Sequence, residues 1–248
     1  MRTSNPAFGE NVLREISFAD ESTTMTVNGM VTKTLMALTA LMLTAGLAWI
    51  QFEKGGYGAV QAYLWGGLAI GLVTSIATCI KPMWAPYTTP VYALAEGAFL
   101  GSLSAIISAQ YPKVNIVFQA CCLTFGTLFV MLIIYQTGVI RVTDRLRAGI
   151  TAATGAIFLL YLVSFVLGFF GVSIPFIHGS GWLGIAFSLF VVGLAAFNLL
   201  LDFDMVDRLV AQRAPKAMEW FAAFALMVTL VWLYLEILRL LSKLQSRR

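Results

Sequence analysis

The sequence predicts an all-α integral membrane protein built as a bundle of seven transmembrane helices. Of its 248 residues, 59% are hydrophobic and only 11% are charged, and the mean hydropathy is +0.85. Apolar runs of about 20 residues, each long enough to cross a hydrocarbon core about 30 Å thick, occur seven times. This composition excludes an ordinary soluble domain.

The seven runs are separated by short polar segments that contain helix-breaking residues. In chain order they lie near 34–51, 63–80, 88–109, 115–137, 149–171, 182–204 and 217–241. The second run ends at the prolines of IKPMWAPYTTP, and the fifth ends at the glycines and proline of GVSIPFIHGSG. We therefore predict a polar N-terminal tail (1–32), a membrane domain (33–242) and a basic C-terminal tail (243–248).

Small residues recur within the runs at the spacing of helix contacts. Gly67 precedes Gly71 by four residues, and Gly97 precedes Gly101 by four. Such pairs allow two helix backbones to approach closely inside a bilayer. They predict contacts between neighbouring helices.

The tail and the cysteines carry no processing or metal signal. Residues 1–32 hold four acids and no basic region that leads into a cleavable apolar stretch, so we expect the first run to be retained. The three cysteines include an adjacent pair within a span and form no CxxC, which argues against a disulfide framework or a zinc site.

The distribution of basic residues predicts the orientation. With a cytoplasmic N-terminus, ten Lys and Arg side chains fall on the inner side and six on the outer side. The inner ten are Arg2, Arg14, Lys33, Lys81, Arg141, Arg145, Arg147, Arg208, Arg213 and Lys216. Because short cytoplasmic loops are enriched in basic residues, we expect a multi-pass inner-membrane protein with its N-terminus inside. Basic residues confined to the segments between apolar runs are typical of topology signals and not of a nucleic-acid-binding surface. The basic C-terminal tail is the observation that runs against this orientation.

Four acidic residues lie in or at the edge of the apolar runs: Glu96, Asp202, Asp204 and Glu236. Ionised carboxylates inside a bilayer are costly, so such residues are kept when they are neutral, paired or on a polar path. Since mid-span positions lack Lys and Arg, we expect pairing with a base to be mostly unavailable. Each acid then holds a proton, shares one with another acid, or binds a cation, because carboxylate oxygens suit hard cations.

Structural roles are the alternative for the same residues. A protonated acid can simply hydrogen-bond a backbone carbonyl across a helix contact. Arg239 follows Glu236 by three residues on one helix face, so an intrahelical ion pair with Arg239 is the structural alternative for Glu236.

Catalytic signatures are absent from the sequence. It contains no Walker loop, HExxH, GxSxG or dinucleotide-binding motif, and its one histidine, His178, lies in a Gly- and Pro-containing loop. We expect no enzymatic activity, no cofactor and no resident metal.

Four stretches carry a resemblance to a known family. They are MTVNGMVTKTLMAL at 25–38, TPVYALAEGAFLGSLSAIIS at 89–108, NLLLDFDMVDRLV at 198–210 and LVWLYLEILRLLS at 230–242. In this order and spacing they resemble the Bax inhibitor-1 family of transmembrane proteins, also called the transmembrane Bax inhibitor motif family, and most closely its bacterial branch.

This resemblance implies a fold in which six helices surround the last one. It also implies a pH-sensitive leak of calcium or another cation, and for some bacterial members restraint of a membrane-bound protease. By resemblance, Asp202 and Glu236 occupy the positions of the family's paired aspartates, which act as a proton-sharing latch, and Glu96 matches the acid of the third helix.

Helix geometry leaves the pairing of these acids open. If helices six and seven form a simple hairpin about residues 213–214, Asp202 lies opposite about residue 225 and about 16 Å from Glu236. Tilt or an asymmetric loop could close that gap, and otherwise Asp202 would meet Glu96.

The leading hypothesis is therefore a pH-gated cation leak, with calcium as the first candidate ion. Asp202 and Glu236 would form the sensor and gate, and Glu96 and Asp204 would support it. The alternative is a helical regulator that conducts nothing and binds a membrane protease or another membrane protein.

Overall fold

The computed structural model describes residues 23–171, 179 and 181–247. His178 and most of the predicted N-terminal tail lie outside these residues. The described chain is helical, and its only bridge between extended residues joins Thr24 to Pro215. The helices are α1 (Val27–Ile80), α2 (Ala85–Gln110), α3 (Ile116–Gln136), α4 (Asp144–Phe169), α5 (Trp182–Ala211) and α6 (Met218–Gln245), with a 3₁₀ turn at Pro82–Trp84.

Six helices of the described chain are long and apolar enough to cross a membrane, whereas the sequence predicted seven runs. The difference lies in α1, a 54-residue element that contains both of the first two predicted runs. It is interrupted at Gly56, whose φ of 64° and ψ of −154° are non-helical. This backbone conformation is essentially restricted to glycine.

The two halves of α1 pack on the same part of α2. Gly101 of α2 lies against Ala45, and Phe99 of α2 lies against Gly67. Residues 45 and 67 would be about 33 Å apart in a straight helix, yet they contact positions of α2 that are about 3 Å apart along its axis. The chain therefore folds back at Gly56, which lies eleven residues from each contact.

The glycines of these contacts explain how closely the helices approach. A methyl group added at Gly97 or Gly101 would overlap the backbone of the first half of α1, at Leu41 or Ala45. Since a bilayer offers no hydrophobic drive between helices, such close packing stabilises the association directly.

The last helix, α6, is the most buried of the six. Within the protein, 67% of its most apolar segment is buried, against 56% for α2 and smaller shares for the others. It packs along α1, α2, α3 and α5, and it contacts α4 through a hydrogen bond from Tyr161 to Glu236. Ala222, Met227 and Leu233 are completely buried on it.

Side-chain contacts fix the direction of the neighbours of α6. Thr89 of α2 donates to the Trp220 carbonyl, and Ser104 bonds to Tyr234, so α2 runs parallel to α6. Lys243 of α6 donates to the Gly184 carbonyl at the start of α5, so α5 runs antiparallel. We call the end of the bundle formed by 23–33, 81–88, 136–147 and 204–220 the basic end.

Gly56 provides a test of the turn in α1. Alanine at this position would be forced into a glycine-only conformation, so Gly56→Ala should destabilise the protein by about 1–3 kcal/mol. Gly58→Ala is the matched control, because Gly58 has open space around it and a helical backbone. The measurement is thermal unfolding in detergent, and equal melting temperatures for the two variants would contradict the turn.

Candidate functional site

Two of the four predicted acids, Glu96 of α2 and Asp202 of α5, lie at the level of the middle of α6. Tyr92 packs edge-on against Phe224, with ring centroids 5.1 Å apart, and Ser104 bonds to Tyr234 at 2.6 Å. Glu96 lies between these two contacts in α2 and is therefore level with residues 224–234. Asp202 of α5 faces Thr229 and lies at the same level.

Asp202 has an incomplete set of hydrogen bonds. Leu199, Leu200 and Phe203 around it are buried, so this stretch of α5 faces the protein interior. Its Oδ2 is buried and has no hydrogen-bond partner among the described residues. The Thr229 hydroxyl across the interface donates its own bond to the Ala225 carbonyl at 3.3 Å. A carboxyl group is thus held at mid-depth without a donor for one of its oxygens.

Glu96 lies between α2 and the second half of α1. Its side chain is buried, and a methyl group added at Gly71 would come within 2.9 Å of its Oε2. The missing side chain at Gly71 therefore makes room for the carboxyl group. This explains the glycine pair at 67 and 71 more fully than close packing alone.

Glu236 is paired, as the alternative interpretation of the sequence proposed. It is 2% exposed and accepts hydrogen bonds from Tyr161 at 2.9 Å and from Arg239 at 3.1 Å. The Arg239 guanidinium also lies over the Tyr161 ring, 4.9 Å from its centroid. The group joins α4 to α6.

Asp204 is paired at the basic end. It accepts from Arg147 of α4 at 2.6 Å and from Arg208, one turn along α5, at 2.9 Å. The expectation that basic partners would be mostly unavailable is wrong for Asp204 and Glu236. Their partners come from span ends, and long side chains reach inward from there.

The described structure does not gather the four acids into one site. Thr229, which faces Asp202, precedes Glu236 by seven residues, or about 10.5 Å of helix. No hydrogen bond in the described part joins Asp202 to Glu236, and α2 and α5 share no packing contact that would bring Glu96 to Asp202. Each acid lies at a different helix interface.

A fifth acid, Glu219, was missed because it lies at a span end. Its side chain is completely inaccessible to solvent. It accepts from the Thr26 backbone at 3.0 Å and from the Thr26 hydroxyl at 3.1 Å, and it forms an ion pair with Lys33. Gly29 leaves room for it. The signal in the sequence was Lys33, a base facing an apolar run, but its partner is 186 residues away.

Backbone bonds complete this connection between α1 and α6. The Met25 amide donates to the Ala214 carbonyl at 2.8 Å, and the Lys216 amide donates to the Thr23 carbonyl at 2.9 Å. We call this set of contacts, with the Glu219 ion pair, the basic-end clasp. It fixes the start of the first helix to the start of the central one.

Lys243, which the sequence placed at the start of the basic C-terminal tail, lies within α6. It is 5% exposed and donates to the Gly184 carbonyl at 3.0 Å and to the Ser188 hydroxyl at 2.9 Å. These two hydrogen bonds from its ammonium group hold α5 against α6.

Comparison with known proteins gives one match. Residues 5–246 match the family described as Bax inhibitor 1 like. No curated protein and no solved structure matches the chain.

The clasp predicts a large effect of a small substitution. Glu219→Gln keeps the shape but leaves Lys33 without its charge partner, and breaking a buried ion pair costs about 3–5 kcal/mol. The melting temperature in detergent should fall clearly for Glu219→Gln and stay near the parent value for Glu53→Gln, whose carboxyl is exposed. Adding Lys33→Met to Glu219→Gln should recover part of the loss. A Glu219→Gln protein as stable as Glu53→Gln would refute the clasp.

Proposed function

The chain belongs to the Bax inhibitor 1 like family, and on that premise we propose that it is a pH-sensitive cation leak whose sensor is Asp202. One observation carries the proposal. The Oδ2 atom of Asp202 is buried at mid-depth of the bundle without a hydrogen-bond partner in the described chain. A membrane protein keeps such a group at a cost, and intramembrane acids typically mark an ion or proton path.

The two charge states of Asp202 make different demands on its surroundings. A neutral carboxyl can donate its proton to the Thr229 hydroxyl oxygen opposite it, whose own proton is directed to the Ala225 carbonyl. An ionised carboxylate needs donors, water or a cation, and its apolar neighbours provide none of these. A change of charge therefore favours a rearrangement of α5 against α6, or entry of a cation between them.

The other acids have supporting roles in this proposal. Glu96 offers a second carboxyl group at the same depth, at the interface of α2 with the second half of α1. Glu236 with Arg239 and Tyr161 acts as a latch between α4 and α6, and Asp204 fastens α4 to α5. Because carboxylate oxygens suit hard cations, calcium is the first candidate for the conducted ion.

We also propose that the chain crosses the membrane seven times, with the two halves of α1 crossing separately. Residues 27–55 and 57–80 are each longer than the roughly 20 residues that a crossing requires. Each later helix then reverses the direction of the one before it, in agreement with the contacts of α2 and α5 on α6. The Gly56 turn lies at the end opposite to the basic end.

Orientation follows from the charges at the two ends. Eight cations of the described chain lie at the basic end: Lys33, Lys81, Arg141, Arg145, Arg147, Arg208, Arg213 and Lys216. The short connections at the other end carry Lys54 and Lys113. We propose that the basic end is cytoplasmic. Lys243, one of the C-terminal cations that ran against this orientation, is buried and hydrogen-bonded to Gly184 and Ser188 of α5.

Asp202→Asn tests the sensor. The purified protein is reconstituted into liposomes, and calcium flux is measured between about pH 5 and 8. The parent should show a steep pH dependence, and Asp202→Asn should flatten it because the amide cannot change charge. Asp207→Asn is the matched control, since that carboxyl lies on the same helix but is exposed. Glu236→Gln should change the level of flux but leave its pH dependence unchanged.

Two results would contradict this proposal in different ways. If Asp202→Asn keeps the parent pH profile, Asp202 is a packing group and the sensor assignment is wrong. If the parent protein conducts no cation at any pH, the alternative of a non-conducting regulator of a membrane protease replaces the leak.

Cysteine labelling tests the topology. In intact cells, a membrane-impermeant maleimide should label Lys54→Cys, which lies beside the Gly56 turn, and should not label Arg145→Cys at the basic end. Labelling of Arg145→Cys from outside would overturn the orientation. Labelling of neither variant in intact cells, with both labelled after lysis, would overturn the separate crossing of the two halves of α1.

A further inference from the structure

A long groove opens on the side of the bundle between α1 and α3. These two helices share no packing contact in the described chain, while both pack on α6, which forms the floor of the groove. Two cavities of about 680 and 260 Å³ lie along it. Leu38 lines both, so the wide cavity at the basic end and the narrow one adjoin at this residue.

The narrow part is almost wholly apolar. Its walls include Met42, Trp49, Phe125 and Leu230. The three hydroxyl groups in its wall are all engaged: Ser104 and Tyr234 bond to each other at 2.6 Å, and Thr124 donates to the Ala120 carbonyl at 2.8 Å. This part of the groove therefore offers contact to hydrocarbon and little to a polar ligand.

The wide part is polar at its mouth. Tyr135, Gln136, Arg141, Asp204 and Asp207 line it there. Both acids are engaged, since Asp207 accepts from Tyr135 and Asp204 is paired with Arg147 and Arg208. Arg141 is exposed and takes part in no ion pair of the described chain. It is the cation at this mouth that is open to an anionic group.

We propose that this groove binds one membrane phospholipid. Its phosphate would lie at Arg141, and one acyl chain would run between α1 and α3, past Val31, Leu35 and Leu38 of α1, towards the narrow part. The positive charge of Arg141 complements the negative phosphate. The groove is polar at its mouth and apolar in its interior, as a phospholipid is polar at its headgroup and apolar along its chains. From Met30 to Leu38 is about 12 Å of helix, close to the depth of one leaflet of a core about 30 Å thick.

The binding test uses dioleoyl phosphatidylglycerol titrated into the detergent-solubilised protein and counted by native mass spectrometry. The parent should retain one lipid more tightly than any further ones. Arg141→Gln should weaken this first binding about fivefold, the share of one cation near a lipid phosphate. Arg145→Gln, an exposed cation outside the groove, should leave it unchanged.

A second pair of variants tests the acyl chain. Leu35 lines the wide part and is 60% exposed, whereas Leu43 is 66% exposed on the same helix and does not line the groove. Leu35→Trp narrows the groove and should abolish preferential binding of the first lipid, while Leu43→Trp should keep it. Glycerol phosphate, which has the phosphate without chains, should not compete.

Three results would overturn the proposal. Equal weakening by Arg141→Gln and Arg145→Gln would indicate general attraction of lipids to a basic surface. Parent-like binding by Leu35→Trp would show that no chain enters the groove. Competition by glycerol phosphate would identify an anion site instead.

Discussion

A carboxylate inside the hydrocarbon core finds no water, so it must be neutral or must meet donors from the protein. Much of this bundle follows from how that constraint is met at each acid. Glu219 meets Lys33 and Thr26 and thereby joins α1 to α6. Glu236 meets Arg239 and Tyr161 and joins α4 to α6. The paired acids act as connections between helices that are distant in the chain, and Asp202 differs from them because one of its oxygens has no donor in the described chain.

The sequence was sufficient for the class and for much of the packing. Apolar runs and the lack of charge predicted membrane-spanning helices, and the glycines at 97 and 101 predicted a contact that the structure places against the first half of α1. The turn in α1 was harder to locate. The sequence separated the first two runs between residues 51 and 63, but that segment contains no proline, so the backbone at Gly56 and the contacts of both halves with α2 were needed to locate the reversal.

The partners of the acids could not be predicted for a physical reason. Each paired carboxyl is satisfied by a side chain from another helix, or from the edge of a run, whose position depends on how the helices pack. Lys33 and Glu219 are 186 residues apart, and Arg147 and Asp204 are 57 apart. Run length and hydropathy locate each helix along the membrane normal, but they say little about which faces meet. Glu236 with Arg239 was accessible to prediction because both residues lie on one helix.

The structure shortens the offset between Asp202 and Glu236 that the sequence predicted, but it does not remove it. The sequence placed the end of the sixth run at residue 204, whereas α5 continues to Ala211 through polar residues. Asp202 faces Thr229, whereas a simple hairpin about residues 213–214 would place it near 225, so the offset to Glu236 falls from eleven residues to seven. Bringing the two acids together would still require α5 to slide along α6 by about two turns. The bonds from Lys243 to Gly184 and Ser188 oppose such a slide, because they hold the start of α5 to the end of α6. The proposed sensor, built on Asp202 alone, requires no such movement, because it depends on a change in the charge of Asp202 and not on contact with Glu236.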